Sequence, residues 1–410
     1  MNCPSQTSEA KAVRLCEALA SSPFWVSRFS NPSIPRPNCK NDLLCTPAIT
    51  KAEIVAEQFR NPPLGSFANR PVTRLHQSSG TVSTPLAWGD STEDWGRILD
   101  IWDLLFRIAE IKDTDKLLFP FSFGPFLGFW SAFEAATRSG RFCLAAGGLS
   151  TQARIRLIER HQITVVLTTP SYAQHMAEAA GEMGIDLKSL PVRALILAGE
   201  PGANRPALRN RLETAWEARV FDHHGMTETG PVSMECARNP GVLHIADESY
   251  LAQVLEPNSD IEVDEGELVL TPMDRLAMPL IRYRTGDRVK VYRQPCPCGR
   301  PLLSLAGGIL GRLDDMLIIR GNNIHPEAIE NWLWSHPEIK EFRIEVKESS
   351  GLSKLKLVID TIEKSGKDTD TILDRLHSGF QERFLFQAEV EISTQPLERF
   401  EMKAKRLKKH

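Results

Sequence analysis

Residues 192–201 read Val-Arg-Ala-Leu-Ile-Leu-Ala-Gly-Glu-Pro, an apolar run that ends abruptly in a glycine turn. A short apolar run bounded by turn residues is typical of a strand that is buried on both faces of a sheet. A second such run covers 163–168, and helical patterns lie on either side of it, at 153–161 and 173–183. Strands that alternate with helices predict right-handed βαβ units on a mostly parallel sheet.

The rest of the chain extends this pattern. Helical periodicity covers 92–108 and 205–216, and residues 254–291 are rich in short strands. After Gly311 the order becomes strand, helix, two strands, helix and strand, which is typical of a small α+β domain of about 100 residues. The sequence therefore predicts an α/β protein with two domains. The larger, residues 1–311, combines mostly parallel sheets with a β-rich subdomain, and the smaller is an α+β domain of residues 312–410.

Composition argues against several classes of function. The formal net charge of -3 is unlike that of a dedicated nucleic-acid binder. The N-terminal residues have no apolar core behind basic residues, so no secretory signal is expected. Prolines and glycines interrupt the apolar stretch 117–133, which we interpret as a buried wall and not as a membrane span. The eight cysteines are irregularly spaced, which indicates a reducing compartment and a cytoplasmic protein.

A loop of small hydroxyl residues lies at 75–85, which reads Leu-His-Gln-Ser-Ser-Gly-Thr-Val-Ser-Thr-Pro. Without bulky side chains, backbone N–H groups approach an anion closely, and the hydroxyls add donors for phosphate oxygens. The segment lacks the Gly-Lys-Ser/Thr ending of a P-loop. Composition leaves two interpretations open, a plain surface loop and a phosphate-binding loop formed by Ser78, Ser79, Gly80, Thr81, Ser83 and Thr84.

Two carboxylates stand in polar segments that contain glycine. Glu228 lies in 221–230, which follows a predicted strand, and open α/β sheets bind ligands beyond the carboxyl ends of their strands. It could hold a magnesium ion bound to phosphates, or form a surface ion pair on a solvated turn. Asp287 lies on a predicted tight turn beside Gly286. It could accept both hydroxyls of a ribose, or satisfy local backbone N–H groups in an Asx turn.

Four residues form a candidate metal site, namely Cys236, His244, Cys296 and Cys298. Three thiolates and one imidazole are the ligand set of a closed structural zinc site. The Cys-x-Cys spacing is tighter than in a usual zinc knuckle, and the two halves lie far apart in sequence. Spacing alone leaves the alternative of unrelated buried cysteines and an exposed pair.

The segment 311–323 places polar loops that contain glycine on either side of one strand, at the predicted domain boundary. Such a position suits a hinge. An ordinary linker would have the same composition, so the sequence alone does not decide between the two.

Taken in order, these segments resemble the adenylate-forming acyl-CoA synthetases, and within them the phenylacetate–CoA ligase-like branch. The resemblance covers about residues 11–405. It is carried by Ser78-Ser79-Gly80-Thr81, Ala198-Gly199-Glu200-Pro201, His224-Gly225-Met226-Thr227-Glu228, Tyr283-Arg284-Thr285-Gly286-Asp287 and the run 311–321. These are similar, respectively, to the family's phosphate loop, adenine-side segment, aromatic-Gly-x-Ser/Thr-Glu motif, ribose-binding motif and hinge.

The resemblance implies a role for each segment. The hydroxyl loop would hold the ATP phosphates, and Glu228 would ligate magnesium. Asp287, helped by Arg312, would hold the ribose hydroxyls. Lys403 would be the adenylation lysine, and Asp314 the pivot of a mobile C-terminal domain that brings Arg320 and Gly321 to the CoA thiol. The other residues implied in nucleotide binding are Gly199, Glu200, Pro201, His223, His224, Gly225, Met226 and Thr227.

The implied activity is an acid–thiol ligase that forms an acyl adenylate, transfers the acyl group to CoA and releases AMP and pyrophosphate. Its implied cofactors are ATP, Mg²⁺, CoA and a structural Zn²⁺, since some relatives in this branch bind zinc at similar places. An aromatic acid is expected because Phe121, Phe123, Phe126 and Tyr172 stand in apolar segments, although such rings are also ordinary core residues. A carrier-protein or amine acceptor, a non-catalytic nucleotide-binding homologue and a homodimer all remain open.

The chain also departs from the family pattern. Val82, Ser83, Thr84 and Pro85 stand where the phosphate loop usually reads Thr-Gly-Lys-Pro, so a lysine charge near the phosphates is missing. Met402 replaces the glycine before Lys403, and His224 replaces an aromatic residue, usually tyrosine. Histidine still stacks and donates a hydrogen bond, so these changes concern turnover more than fold.

Overall fold

The computed structural model describes residues 8–78, 85–121, 123–319, 322–349, 352–362, 366–397 and 406–409. The helices within them are α1 (Ser8–Ser21), α2 (Pro23–Phe29), α3 (Lys40–Cys45), α4 (Lys51–Arg60), α5 (Thr92–Ile108), α6 (Leu127–Arg138), α7 (Thr151–His161), α8 (Pro170–Glu182), α9 (Pro206–Trp216), α10 (Pro326–Trp334) and α11 (Gly366–Phe384). Short 3₁₀ turns lie at Leu187–Ser189 and Leu313–Asp315.

The strands of the same residues belong to five sheets. They are β1 (Ile49–Thr50), β2 (Arg74–Gln77), β3 (Ala87–Asp90), β4 (Lys116–Phe119), β5 (Phe142–Ala145), β6 (Val165–Thr168), β7 (Ala194–Leu197), β8 (Arg219–Met226), β9 (Gly230–Cys236), β10 (Asn239–Ile245), β11 (Tyr250–Leu255), β12 (Glu265–Pro272), β13 (Tyr283–Lys290), β14 (Ser304–Ala306), β15 (Gly311–Arg312), β16 (Leu317–Ile319), β17 (Asn322–Ile324), β18 (Ile339–Ser349), β19 (Leu352–Thr361), β20 (Glu389–Ile392) and β21 (Leu407–Lys409).

The largest of these sheets has eight strands in the order β14-β10-β9-β8-β7-β6-β4-β5. The strands from β8 to β5 run parallel, and β9, β10 and β14 are antiparallel. Strands β6 and β7 are buried along their whole length, as the apolar runs predict. One face of the sheet packs against α7, α8 and α9, and the other against α5 and α6.

Capping side chains fix where several helices begin. The Ser91 hydroxyl accepts the N–H of Asp94, and the Asp94 carboxylate accepts the N–H of Ser91, so α5 begins with a capping box at the predicted residue 92. Thr169 caps α8 in a similar way, with Pro170 in the first turn. The carboxylate of Glu200 also accepts the N–H of Ser171 at 2.6 Å, which is a favourable position for an anion. This contact fixes Glu200 against the start of α8.

A second sheet, in the order β1-β13-β12-β11 with β15 on β13, forms the β-rich subdomain. Alternate residues of β13 are buried, which puts Tyr283, Thr285 and Asp287 on one face. Apolar residues of this subdomain share a core with α1, α2 and α4. The sheet thereby brings the predicted ribose-binding segment beside the end of β8.

The C-terminal region contains the hairpin β16–β17 and a four-stranded sheet in the order β20-β19-β18-β21, with α10 and α11. Its apolar side chains and those of α8 and α9 belong to one continuous core. Polar contacts add to this interface. Ala207 N–H donates to Asn331 Oδ1 at 3.1 Å, and Gln174 Nε2 donates to the Lys340 carbonyl at 3.2 Å.

The predicted α/β class is confirmed, and two local predictions differ from the structure. β8 continues to Met226 because β9 pairs with its polar end, whereas the sequence predicts a strand that ends at Phe221. β13 begins at Tyr283, so the expected tight turn at Gly286 is part of a strand. The apolar wall 117–133 contains most of β4 and the start of α6. Among the described residues, every helix is too short or too polar to cross a membrane.

Candidate functional site

Glu228 lies in the turn 227–229 that joins β8 to β9. Two side chains from other segments hold this turn. Arg275 Nη1 donates to the Thr227 carbonyl at 2.8 Å, and the Tyr250 hydroxyl donates to the Thr229 carbonyl at 2.9 Å. Arg275 is itself fixed by a buried bidentate ion pair with Asp90, with N···O distances of 2.7 and 2.8 Å. The backbone that carries Glu228 therefore has a fixed position.

The carboxylate of Glu228 is buried, with 4% of the residue exposed. Its Oε1 accepts the Tyr283 hydroxyl at 3.2 Å and lies 3.4 Å from Lys51 Nζ. Burial and the neighbouring carboxylate raise the pKa of Tyr283 well above its usual range, so this hydroxyl remains a donor. Lys51 begins α4 and gave no sequence signal, because it is close to Glu228 only after β1 pairs with β13.

Asp287 is buried between two cationic or basic groups. His224 Nε2 lies 3.2 Å from its Oδ2, and Arg312 Nη1 donates to its Oδ1 at 3.1 Å. Burial alone would raise the pKa of Asp287, but the hydrogen bond and charge of His224 and Arg312 outweigh it and hold this pKa below its ordinary value. The carboxylate is therefore ionised near neutral pH. Each of its oxygens retains a lone pair for a further donor.

Gly286 allows Arg312 to reach Asp287. The backbone of Gly286 has φ +75°, and a Cβ there would lie 2.6 Å from Arg312 Nη2. Arg312 Nη1 also donates to the Thr285 carbonyl at 2.7 Å, and its Nε donates to Asp314 at 3.0 Å. The register of β13 against β12 shifts in this region, so the ribose-type motif forms an irregular strand where the sequence predicts a tight turn.

The two adjacent histidines of β8 lie on opposite faces of the strand. His224 points to Asp287, and its Nδ1 is buried without a hydrogen-bond partner among the described residues. His223 instead packs on Trp102, with ring centroids 4.4 Å apart, and its Nδ1 bonds the Ser233 carbonyl. Burial lowers the pKa of His223 to about 3, so the ring is neutral. We therefore leave His223 out of the nucleotide site.

The adenine-side segment follows the buried strand β7. Gly199 has φ +91° and Pro201 is exposed, so the chain turns sharply at the carboxyl end of the sheet. Glu200 points to α8 through its bond to Ser171. The Ser171 hydroxyl in turn accepts a bond from Arg406 Nη2 of the C-terminal region, at 3.0 Å. Sequence reasoning associated the segment that contains Ser171 with substrate choice and gave Arg406 no role, and it missed the bond between them.

Several predicted residues lie outside the described part of the chain: Ser79, Gly80, Thr81, Ser83, Thr84, Arg320, Gly321 and Lys403. Ser78 is described, and it forms two hydrogen bonds with Leu86, which follows the loop. Its N–H donates to the Leu86 carbonyl at 2.8 Å, and its hydroxyl accepts the Leu86 N–H at 2.9 Å. The two ends of the predicted phosphate loop are thus held together.

The aromatic residues proposed for the acid divide into two groups. Phe121 packs on Phe123, with centroids 5.2 Å apart, in the core next to α5 and α6. Tyr172 lies in the core on the other face of the sheet, where its hydroxyl bonds Thr151 at 3.0 Å and also Arg154. These contacts explain Tyr172 as a core residue, and we leave it out of the acid pocket. Phe126 is half-buried at the start of α6.

The four predicted metal ligands lie together. The donor atoms of Cys236, His244, Cys296 and Cys298 are all within 4.8 Å of one another. Cys236 Sγ is 3.6 Å from Cys296 Sγ, and Cys298 Sγ is 3.3 Å from His244 Nε2. Ligands of a tetrahedral zinc ion, with bonds of about 2.0–2.3 Å, are separated by about 3.4–3.8 Å, so the site has a suitable size.

Ser304 orients the imidazole of this cluster. Its hydroxyl donates to the Leu302 carbonyl at 2.9 Å and lies 2.8 Å from His244 Nδ1. Since that hydroxyl proton is used, Nδ1 must donate, and Nε2 keeps its lone pair for a ligand. Backbone N–H groups of Arg238 and Arg300 donate to Cys236 and Cys298. Each bond stabilises a sulfur anion, but burial outweighs it at Cys236 and raises the pKa of that thiol.

Comparisons with known proteins show the family to which the chain belongs. Residues 98–269 match the AMP-binding enzyme family, and residues 321–410 match the AMP-binding enzyme C-terminal domain. The chain therefore belongs to the AMP-binding enzyme family. It is 31% identical to a phenylacetate-coenzyme A ligase of Thermus thermophilus over 73% of this chain and 69% of that protein. It is 28% identical to a phenylacetate-coenzyme A ligase of Escherichia coli, over 79% of this chain and 74% of that protein.

The fold is also similar to solved structures of 2-hydroxyisobutyryl-CoA ligase. With that ligase in the postadenylation state, the TM-score is 0.90 at 24% identity, over 100% of this chain and 94% of the other. With the same ligase in the thioesterification state, the TM-score is 0.71 over 98% of this chain and 89% of the other. The overall arrangement of this chain is thus closer to that of the first structure.

Proposed function

We propose that this protein is an ATP-dependent carboxylic acid–CoA ligase of the AMP-forming type. The observation that carries the proposal is the buried Asp287 held by His224 and Arg312, with Glu228 on the turn that follows the strand of His224, in a chain of the AMP-binding enzyme family. The ionised Asp287 would accept both ribose hydroxyls. The buried Nδ1 of His224 has no hydrogen-bond partner within the described ranges of the chain and would be available to the nucleotide. Phenylacetate-coenzyme A ligases among the relatives support an acid as substrate and CoA as acceptor.

A carboxylate is a poor acyl donor because its leaving group would be oxide, and the two-step chemistry avoids this. A carboxylate oxygen bonds to the α-phosphorus of ATP, the bond to the β-phosphate oxygen breaks, and pyrophosphate leaves. The CoA sulfur then bonds to the acyl carbon, its proton passes to solvent, and AMP leaves in place of oxide. The first step is phosphoryl transfer, which needs positioning and positive charge more than acid–base catalysis. We assign Lys403 to that step.

Glu228 would hold the magnesium ion. A buried carboxylate supplies the hard oxygen ligand that magnesium prefers, and phosphate oxygens would complete the set. When bound, the ion supplies positive charge against the phosphates. Lys51, 3.4 Å from the same carboxylate, adds a second positive charge in this region. We propose that it compensates in part for the lysine that is missing from the hydroxyl loop.

We propose that residues 312–410 form a domain that rotates about Asp314 between the two half-reactions. Asp314 lies in a short 3₁₀ turn directly after Arg312, which supports a pivot next to the nucleotide. The rotation would withdraw Lys403 and bring Arg320 and Gly321 to the acyl adenylate. One cavity would thus serve both steps.

We propose an aromatic acid as the substrate and a structural zinc ion as a second metal. The packed rings of Phe121 and Phe123, with half-buried Phe126 nearby in sequence, support a flat apolar acid. The size and donor set of the four-residue cluster support zinc, which would crosslink the β9–β10 hairpin to the segment before β14.

The test is acid-dependent release of pyrophosphate across a panel of carboxylic acids, followed by formation of the CoA thioester. Lys403→Ala should abolish pyrophosphate release, and Lys408→Ala, an exposed lysine of the same tail, should not. Parallel assays with a carrier-protein thiol and with amines identify the acceptor. Tight ATP binding without pyrophosphate release for any acid would instead favour a non-catalytic nucleotide-binding protein.

A further inference from the structure

Arg406 is a buried cation at the start of the last strand, with 6% of the residue exposed. Its Nε donates to Glu341 Oε1 at 2.8 Å, and its Nη2 donates to Glu341 Oε2 at 3.2 Å. Both residues belong to the C-terminal region. The pair therefore fixes the start of β21 to β18, its neighbour in the sheet.

The guanidinium of Arg406 also forms a hydrogen bond with a residue of the N-terminal region. Nη2 of Arg406 also donates to the Ser171 hydroxyl at 3.0 Å. Ser171 lies in the first turn of α8, and its N–H is bound by Glu200 of the adenine-side segment. A short chain of hydrogen bonds thus connects the last strand to a predicted nucleotide-binding segment.

Trp334 completes this contact between the two regions. Its ring is buried, with the Arg406 guanidinium 5.1 Å from the ring centroid and the Arg211 guanidinium of α9 at 5.2 Å. Arg211 also donates to the carbonyls of His336 and Ile339, the latter at 2.8 Å. A buried arginine that bonds both regions is costly to separate from either partner, because its charge would lose hydrogen bonds.

We infer that Arg406 is a positioning residue that holds the C-terminal region in the orientation for adenylation, through Ser171. The inference rests on the proposed function, because it concerns the half-reaction assigned to Lys403. Two residues lie between Lys403 and Arg406 in the sequence, so their Cα atoms are at most about 11 Å apart. Fixing Arg406 against Ser171 and Glu341 therefore restricts where the adenylation lysine is able to lie. Rotation of the region for thioester formation breaks the bond to Ser171 and keeps the bond to Glu341.

Two variants separate this role from a general effect on stability. Ser171→Ala removes the bond between the regions and leaves the C-terminal sheet unchanged, and Arg406→Met removes the cation. Arg343→Met is the matched control, since Arg343 is a half-buried arginine of β18 that pairs with Glu345 of its own strand. Each half-reaction is measured alone: acid-dependent pyrophosphate release, and thioester formation from added acyl adenylate and CoA. Melting temperatures report on folding.

We expect Ser171→Ala to slow adenylation about tenfold and Arg406→Met to slow it by more, because the loss of one hydrogen bond to a charged group corresponds to about tenfold or more. Thioester formation should be unchanged or faster in both, and Arg343→Met should behave as the parent. Equal loss in both half-reactions, or unchanged adenylation in Ser171→Ala, overturns the inference. If Arg406→Met does not fold, Ser171→Ala decides alone. A parent protein without acid-dependent pyrophosphate release defeats the proposed function instead.

Discussion

Replacing Gly286 with alanine should displace Arg312 from Asp287. A Cβ at residue 286 would lie 2.6 Å from Arg312 Nη2 and 3.0 Å from its Cζ, closer than carbon and nitrogen atoms approach in proteins. The guanidinium must move, and it is held by bonds of 2.7 Å to the Thr285 carbonyl and 3.1 Å to Asp287. The displacement therefore breaks or lengthens at least one bond to a charged group.

Two penalties add in this variant. Alanine at positive φ costs about 1 to 2 kcal/mol relative to glycine. A hydrogen bond of a charged group contributes about 1.5 to 3 kcal/mol when buried. Because 39% of the Arg312 side chain is exposed, solvent screening favours the lower end of that range. The expected loss of unfolding free energy is about 2.5 to 3.5 kcal/mol, of which about 1.5 comes from Arg312.

Gly148→Ala is the matched control. Gly148 has φ +74°, nearly the same as Gly286, and a Cβ there would meet no atom within 4 Å. Urea denaturation gives the two free energies, and calorimetric titration gives the affinity for AMP. Gly148→Ala should lose about 1 kcal/mol and bind AMP normally, while Gly286→Ala loses more and binds AMP about tenfold more weakly. Equal losses and equal affinities in the two variants would refute the reasoning.

Three further predictions concern the same chain. Lys51→Met should raise the KM for magnesium–ATP about tenfold, because a positive charge beside Glu228 is lost. Lys51→Arg keeps that charge and is the control, so an equal KM in the two variants would contradict the prediction. The pKa of Asp287 is lower in the folded protein than in the unfolded chain, so the ionised carboxylate stabilises the fold. This stabilisation is present above about pH 3.9, the pKa of an unfolded aspartate, and disappears as the pH falls further. Asp287→Asn should therefore flatten the acid limb of the unfolding free energy, measured with urea from pH 7 to pH 3. Cys298→Ser should lower both zinc content and melting temperature, whereas Cys143→Ser, outside the cluster, should retain the metal.

Local patterns were sufficient for much of the fold. The apolar runs at 163–168 and 192–197 predicted β6 and β7, because parallel strands covered on both faces need apolar residues at every position. The periodicity of 92–108 predicted α5, and the structure adds the capping box at its start. Strand ends were predicted less well, since β8 and β13 extend into polar segments only where a neighbouring strand supplies hydrogen bonds.

The candidate site shows the same division. Residue type and spacing singled out the acids at 228 and 287 and the four metal-type ligands as candidates, because their chemistry is carried by the side chain itself. The sequence alone left another interpretation open for each. The contacts of these acids were not predicted. Lys51 and Tyr283 both meet Glu228 because of which strands lie side by side, although Tyr283 stands in a segment that the sequence had singled out.

The sequence by itself determined the class of fold and much of the order of its elements, and it supplied the acids and thiols that are candidates for the site. Only the tertiary structure decided that His223 faces the core while His224 faces Asp287, and that Arg406 reaches across to Ser171. The physical reason is that propensity and periodicity act between neighbours along the chain. Charge pairing, burial and orientation depend on distances between residues that are remote in sequence, and packing alone sets these.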